Sequence, residues 1–328
     1  MSRNVLVIKL GALGDMILAS PHIERIVEAH PDDRVWLLTA PEYLPLFAGH
    51  SRLRSISFAR KGLLAMGQAI RWTRKQHFPI VYDLQGSDRA RLLTLASGAE
   101  KRVGLGTGWF YTHSPVLDDR QRHIFDRLNG LLACAGIPQA LPRARLWTRS
   151  WCAAAVGRWL DTRQLQRGKI VLMHAGSSPA WSSKRWEREH FAQLAALLAD
   201  AGLQVIWTGG DADREINAGL AAITGLDATG EFRVPELAEL GRFARFAVVN
   251  DSAPMHILSC AGIPVYALFG PTDWRRSHAL GQEGRILRNP VPCSPCHQGD
   301  CPPAQQHRCL AGIAATAVFA RLRADHLV

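Results

Sequence analysis

Residues 250–256, Asn-Asp-Ser-Ala-Pro-Met-His, and residues 263–273, Ile-Pro-Val-Tyr-Ala-Leu-Phe-Gly-Pro-Thr-Asp, have the composition of an anion site. An apolar run, Phe246 to Val249, leads into the capping pair Asp251-Ser252. A short helix then opens with Pro254, and a second apolar run ends in Gly270-Pro271-Thr272-Asp273. Two successive strand ends therefore offer backbone N–H groups at one edge of a sheet, where a helix N-terminus adds its dipole. Asp251 can cap that helix, touch a sugar, or do both. His256, one turn in, reads as either a structural or a site histidine.

Three further segments sit at strand ends. Lys9-Leu10-Gly11-Ala12-Leu13-Gly14-Asp15 follows the first apolar run. Its glycines allow a sharp turn and close approach of a ligand to the backbone. Asp15 can take a proton from an attacking hydroxyl or merely cap the first helix. His174-Ala175-Gly176-Ser177-Ser178 suits phosphate oxygens. The following Trp181-Ser182-Ser183-Lys184-Arg185-Trp186 supplies cations able to neutralise a diphosphate leaving group, with both tryptophans packing the loop. Trp207-Thr208-Gly209-Gly210-Asp211-Ala212-Asp213 opens another strand-to-helix turn, where Asp211 can hold ribose hydroxyls or cap the helix. The glycine spacing after either half's first strand is not the dinucleotide fingerprint, which argues against a dehydrogenase.

Cysteine use is uneven. Cys134, Cys152 and Cys260 lie in apolar helical contexts and read as core residues. Cys293, Cys296, Cys301 and Cys309 form a C-x2-C-x4-C-x7-C cluster with His297 and His307 nearby. That set can hold a structural zinc or remain as reduced thiols. Disulfides are disfavoured in a reducing compartment.

The elements that position these residues alternate strand and helix. Strands are expected at Val5–Lys9, Val35–Thr39, Ile56–Phe58, Ile80–Leu84 and Arg102–Val103. The Ser20-Pro21 pair predicts a helix starting there, and further helices are expected at 62–76 and 121–135. A second series has strands at Ile170–His174, Gln204–Thr208, near Asp227, Phe246–Val249 and Val265–Phe269. Its helices are expected at 187–200, 212–223, 235–242 and 254–261, with a last one at 311–323. The pattern predicts an α/β protein of two parallel-sheet halves, crossing between 137 and 168, with a cleft between them and ligands beyond the strands' carboxyl ends.

The chain has 328 residues, is 47% hydrophobic and carries a net charge of +11. No apolar stretch approaches a membrane span, and the N-terminus lacks a signal-peptide layout, so a cytoplasmic protein is expected. The basic surface suits phosphorylated substrate or anionic lipid. No RNA-binding signature or zinc-finger helix is present, so no nucleic-acid partner is expected.

Taken in order, K-L-G-A-L-G-D, D-L-Q-G at Asp83–Gly86, H-A-G-S-S before K-R-W, and N-D-S-A-P-M-H followed by F-G-P-T-D resemble glycosyltransferase family 9, the ADP-heptose:lipopolysaccharide heptosyltransferases. One departure is Ala253, where the family usually has Gly. The resemblance implies a GT-B fold of two Rossmann-like domains. The acceptor domain would be 1–160, and the nucleotide-sugar domain 161–310 with the Cys-rich loop 293–309. The C-terminal helix, about 311–328, would pack back on the first domain. It implies inverting transfer with no catalytic metal or required cofactor. Asp15 would be the general base and Lys184 the group at the donor phosphates and sugar. Ser177, Ser178, Asp211 (or Asp213), Asp251, Ser252, Met255, His256, Gly270, Pro271 and Thr272 would bind the donor. Lys9, Gly11, Gly14 and Gln85 would bind the acceptor. The implied partners are ADP-heptose, a lipid-linked oligosaccharide and the cytoplasmic face of the inner membrane. Another nucleotide sugar, used for O-antigen, capsule or other glycan, is the alternative donor. A non-catalytic nucleotide-sugar-binding protein is the alternative of another class.

Overall fold

The computed structural model describes residues 2–59, 62–106, 109–116 and 121–328. They form two compact units, Met1–Arg149 and Ser150–Val328. The first contains β1 (Asn4–Ile8), α1 (Leu13–Ala29), β2 (Arg34–Thr39), β3 (Leu53–Ser57), α2 (Leu63–Gln76), β4 (Ile80–Asp83), α3 (Asp88–Ala96), β5 (Lys101–Gly104) and α4 (Ile124–Cys134). The second contains α5 (Ser150–Thr162), β6 (Ile170–His174), α6 (Arg188–Asp200), β7 (Gln204–Trp207), α7 (Arg214–Ala221), β8 (Leu226–Asp227), α8 (Val234–Gly241) and β9 (Ala244–Asn250). It continues through α9 (Ala253–Ser259), β10 (Val265–Leu268), α10 (Trp274–Ser277), β11 (Ile286–Leu287), α11 (Arg308–Ala311) and α12 (Ala315–Ala324).

Both sheets are parallel. The first runs β3-β2-β1-β4-β5 and the second β11-β10-β9-β6-β7-β8. In each, the first strand of the unit lies in the middle and the chain reverses direction across the sheet beside it. That reversal is the switch point where a doubly wound sheet opens a crevice. It falls between β1 and β4 in one unit and between β6 and β9 in the other. Val5 through Ile8 and Ile170 through Met173 are fully buried, as central strands covered on both faces require.

Four expectations change. The first helix begins at Leu13, and Ser20 and Pro21 lie inside it. Pro21 has no N–H to give the Ile17 carbonyl one turn back; the Ser20 hydroxyl donates to that carbonyl instead, at 2.7 Å, and accepts from the Arg145 N–H at 2.9 Å. Helix α3 was not expected; its signal was Ser87, whose hydroxyl caps the Ala90 N–H at 3.3 Å. The unit boundary falls at 149/150 rather than 160/161, because α5 packs on α8 and buries Cys152, Val156 and Leu160. The last helix belongs to the second unit. Its Val318 and Leu322 enter the core of Phe191, Leu194 and Leu198 on α6.

Candidate functional site

Each unit presents a cluster of polar groups at its switch point. In the first unit, two strand-end loops are fastened to each other. Gln85 Oε1 accepts from the Leu10 N–H at 3.0 Å. Asp83, fully buried, accepts from the N–H groups of Gln85 (2.9 Å) and Gly86 (2.8 Å) and from the Tyr111 hydroxyl (2.7 Å). Burial pushes the Asp83 carboxyl up, while these donors and Lys9 pull it back. Lys9 is 2% exposed, with Nζ donating to the Leu84 carbonyl at 3.3 Å. Burial draws its ammonium down, against the carboxylates of Asp15 and Asp83. Lys9 and Gln85 thus fasten β1 to β4.

Gly11 has φ +130°, and a Cβ there would lie 2.7 Å from the Tyr43 ring, so only glycine turns the chain at this point. Gly14 and Asp15 fall in the first turn of α1. The helix is capped at Ala12 with no side-chain hydrogen bond. Asp15, half-buried, is therefore not spent as a cap. Leu10, Thr39, Phe58, Gln85, Ser87 and Arg89 help line a cavity of about 200 Å³ at the ends of these strands.

In the second unit the centre is Asp251. Its Oδ2 pairs with Lys184 Nζ at 2.7 Å and accepts from the Thr272 hydroxyl at 2.5 Å. Three of the predicted donor residues, separated by up to 88 positions, meet on one oxygen (272 − 184). The Lys184 ammonium also lies 4.9 Å from the Trp181 ring centroid.

Asn250, fully buried and unassigned by sequence reasoning, sets this arrangement. Its Nδ2 donates to the carbonyls of Ala175 (2.9 Å) and Gly176 (3.2 Å), and its Oδ1 accepts from the Trp186 N–H (3.0 Å). It ties the end of β9 to both ends of the loop that carries Lys184. The available signal was its place at the end of an apolar run, one residue before Asp251.

Several expected contacts are engaged inside the protein. The Ser177 hydroxyl donates to the Trp181 carbonyl at 2.7 Å and accepts from Arg185 Nε at 3.1 Å, whereas Ser178 is exposed. Asp213 is buried, accepts from the Gly210 N–H at 3.0 Å, and fills the space beside Gly176. His174 Nδ1 donates to the Thr208 carbonyl at 2.8 Å, and burial draws its pKa down despite the nearby Asp213. Asp211 is exposed and pairs with Arg214 at 2.5 Å. Ser252 is the cap position of α9, with its hydroxyl on the Asn250 carbonyl at 3.3 Å; Met255 and His256 are buried within that helix.

The Cys-rich loop braces the segments that carry Thr272 and Lys184. Ser294 Oγ donates to the Gly270 carbonyl (2.6 Å), and the His297 N–H to that of Pro271 (2.7 Å). Ser183 donates through its N–H to Gly299 (3.0 Å) and through its hydroxyl to Gln298 (2.6 Å). The His307 ring bridges the Glu187 carboxylate and the Ser183 carbonyl, each at 2.7 Å, and the Glu187 contact raises its pKa. A Cβ on Gly270 would lie 2.7 Å from Leu310 and 3.0 Å from Cys309 Sγ, so glycine is needed for this close packing.

All four clustered cysteines line one cavity of about 110 Å³, and none is disulfide-bonded. Burial, with the other three thiols, pushes Cys309 up to about 11. Among the described residues no three His, Cys, Asp or Glu side chains stand together as a ligand set for a metal ion.

Two units, each a parallel sheet in Rossmann-like strand order with a polar cluster at its switch point, make this a GT-B fold. A glycosyltransferase family 9 structure from Veillonella parvula superposes with TM-score 0.85 at 20% identity, covering 99% of this chain and 97% of that one. Escherichia coli ADP-heptose lps heptosyltransferase II does so with TM-score 0.77 at 21% identity, over 99% and 98%. Among curated sequences, the lipopolysaccharide core heptosyltransferase OpsX of Haemophilus influenzae is 22% identical over 282 residues, 81% of this chain and 79% of its own. Residues 65–307 match the model of glycosyltransferase family 9 (heptosyltransferase). The chain belongs to that family and is a glycosyltransferase. Among the described residues no helix is long and apolar enough to cross a membrane.

Proposed function

We propose that this protein moves heptose from ADP-heptose to the lipopolysaccharide inner core, with inversion and without a catalytic metal, at the cytoplasmic face of the inner membrane. The observation that carries the reading is the Lys184–Asp251–Thr272 cluster at the ends of β9 and β10, the place where a doubly wound sheet receives a nucleotide. Names of relatives support the sugar and acceptor: one is a lipopolysaccharide core heptosyltransferase and another an ADP-heptose-dependent one.

In this reading Asp15 accepts the proton of an acceptor hydroxyl. The freed oxygen bonds to the anomeric carbon from the face opposite the diphosphate. The bond from that carbon to the diphosphate oxygen breaks, and ADP leaves. Lys184 neutralises the departing charge, as a cation fixed in place does best when it need not reorganise. Asp251 aims Lys184 and contacts the donor sugar, and the backbone of Gly270–Thr272 cradles the diphosphate. Ser178 is exposed and can meet donor phosphate, and the exposed Asp211 can reach ribose by giving up its surface pairing with Arg214.

The test is isothermal titration with ADP, UDP, GDP and their sugar conjugates, followed by transfer to a lipid A core acceptor. Selective binding of ADP and ADP-heptose, with transfer, is expected. Asp15→Asn should cut turnover by about 10²–10⁴ while ADP-heptose affinity stays nearly unchanged. Preference for another base would replace the donor, and selective binding without transfer would favour a non-catalytic sugar-nucleotide binder. Parallel loss of binding and turnover in Asp15→Asn would reject the base assignment.

A further inference from the structure

In the first unit the sheet is wholly parallel, so the loops after β1, β3, β4 and β5 all leave at one edge. The inner pair, after β1 and β4, carries Gly11, Asp15 and Gln85. The outer pair carries large apolar side chains in solvent. Leu63 and Leu64, after β3, are 92% and 86% exposed; Trp109 and Val116, after β5, are 69% and 98% exposed. The strand order sets these loops on opposite sides of the acceptor residues.

The two leucines are not stray core residues. Helix α2 buries Ala65, Ala69 and Thr73 on its other side. Leu64, Gln68, Arg71 and Lys75 are all exposed and recur at the four-three-four spacing of a single helix face. A rise of about 1.5 Å per residue sets Arg71 roughly 10 Å, and Lys75 roughly 16 Å, along the axis from Leu64. Neither cation has an ion-pair partner among the described residues. An apolar tip with cations set back by this depth matches the boundary of an anionic bilayer, where apolar side chains enter about 5–10 Å and basic ones stay at the phosphates. Across the edge, Trp109 stacks on Phe110 with centroids 4.7 Å apart, and Arg102 Nε holds the Phe110 carbonyl at 2.9 Å. The aromatic pair is thereby anchored to β5. Tryptophan favours the same interfacial depth.

We propose that this edge is a membrane-docking surface. Leu63, Leu64 and Trp109 enter the headgroup–acyl boundary of an anionic bilayer, Arg71 and Lys75 meet its phosphates, and the residues after β1 and β4 face an acceptor that stays in the membrane. The purpose of the surface rests on the lipid-acceptor reading above; its existence does not.

Sedimentation with phosphatidylglycerol-containing and with purely phosphatidylcholine vesicles tests it. The wild-type protein should bind the anionic vesicles, and added salt should weaken the binding. The double variant Leu63→Glu/Leu64→Glu should bind them at least about tenfold more weakly. Arg71→Glu/Lys75→Glu should lose about tenfold on anionic vesicles and little on neutral ones. Ile223→Glu, an exposed apolar site on the second unit, should bind like wild type. All these positions are exposed, so melting temperatures should be unchanged. ADP titration and transfer to a water-soluble, deacylated acceptor should also be unaffected by the leucine changes. Wild-type protein that ignores vesicles, or a leucine variant that binds them normally, would overturn the proposal. A lipid-free shift in oligomeric state on changing the leucines would instead mark the edge as a contact between copies and overturn it too. Failure of transfer to the soluble acceptor by wild-type protein would sink the proposed heptose-to-core reading and leave the vesicle result to decide the surface.

Discussion

At the scale of single residues, the site depends on which polar groups have a partner inside the protein. Lys184 and Asp251 form one pair, 19% and 7% exposed at their side chains. Removing the lysine leaves a largely desolvated carboxylate with only the Thr272 hydroxyl. Lys184→Ala should therefore weaken nucleotide binding by about 10- to 100-fold, the size of a charge-assisted hydrogen bond of about 1.5–3 kcal/mol. Calorimetric titration with ADP measures this, and unchanged affinity would remove Lys184 from the site. Asn250→Ala breaks three buried hydrogen bonds at once. It should cost about 2–4 kcal/mol of stability and lower ADP affinity as well, because the loop bearing Lys184 loses its fastening. Chemical denaturation with ADP titration checks both; stability lost with affinity intact would limit Asn250 to the core. Lys184 and Asp251, which the structure pairs, were legible as candidates because each lies in a motif that follows a strand and the motifs together resemble one family. Asn250 was not, since its role is defined by partners 64 to 75 positions away.

At the scale of elements, the Cys-rich loop and the Lys184 loop behave as one body. His307 donates from both ring nitrogens only when protonated, and both of its partners are acceptors. Its pKa lies above the ordinary 6.5, through the Glu187 contact first. The sign follows: this bridge contributes fully below pH 6.5 and is lost as pH rises through the raised value. Stability of the second unit should therefore decline as pH rises above 6.5, and His307→Gln should flatten that decline at a cost of about 1 kcal/mol or less below it, since the ring is 22% exposed. Melting curves across pH for both proteins measure this. An unchanged slope in the variant would assign the decline elsewhere. The same scale explains the first helix. Ser20-Pro21 has the composition of a helix start, yet Ser20 repairs the defect that Pro21 makes in a helix already begun at Leu13. A local signal cannot distinguish these cases, because both satisfy the same backbone group.

At the scale of the whole molecule, the two units each have their own sheet and core, so nucleotide bound to the second should stabilise that unit selectively. Scanning calorimetry with ADP at about a hundredfold its Kd should raise the second unit's stability by about 2.7 kcal/mol and move the first unit's transition less. A single transition shifting as one would mean the units unfold together. The chain by itself determined the alternation of strand and helix, the two parallel sheets and the strand-end position of every site motif. Buried strands and amphipathic helices write themselves in local periodicity, and parallel strands require crossovers. The tertiary structure alone decided the unit to which α5 and α12 belong, because an apolar helical face does not specify the surface that covers it. It also decided the fate of the motif residues. Lys9, Gln85, Ser177 and Asp213 hold loops together, while Lys184, Asp251 and Thr272 converge on one another. Residue type gives each group its donors and acceptors, but partners brought in from distant segments determine which of those are already used.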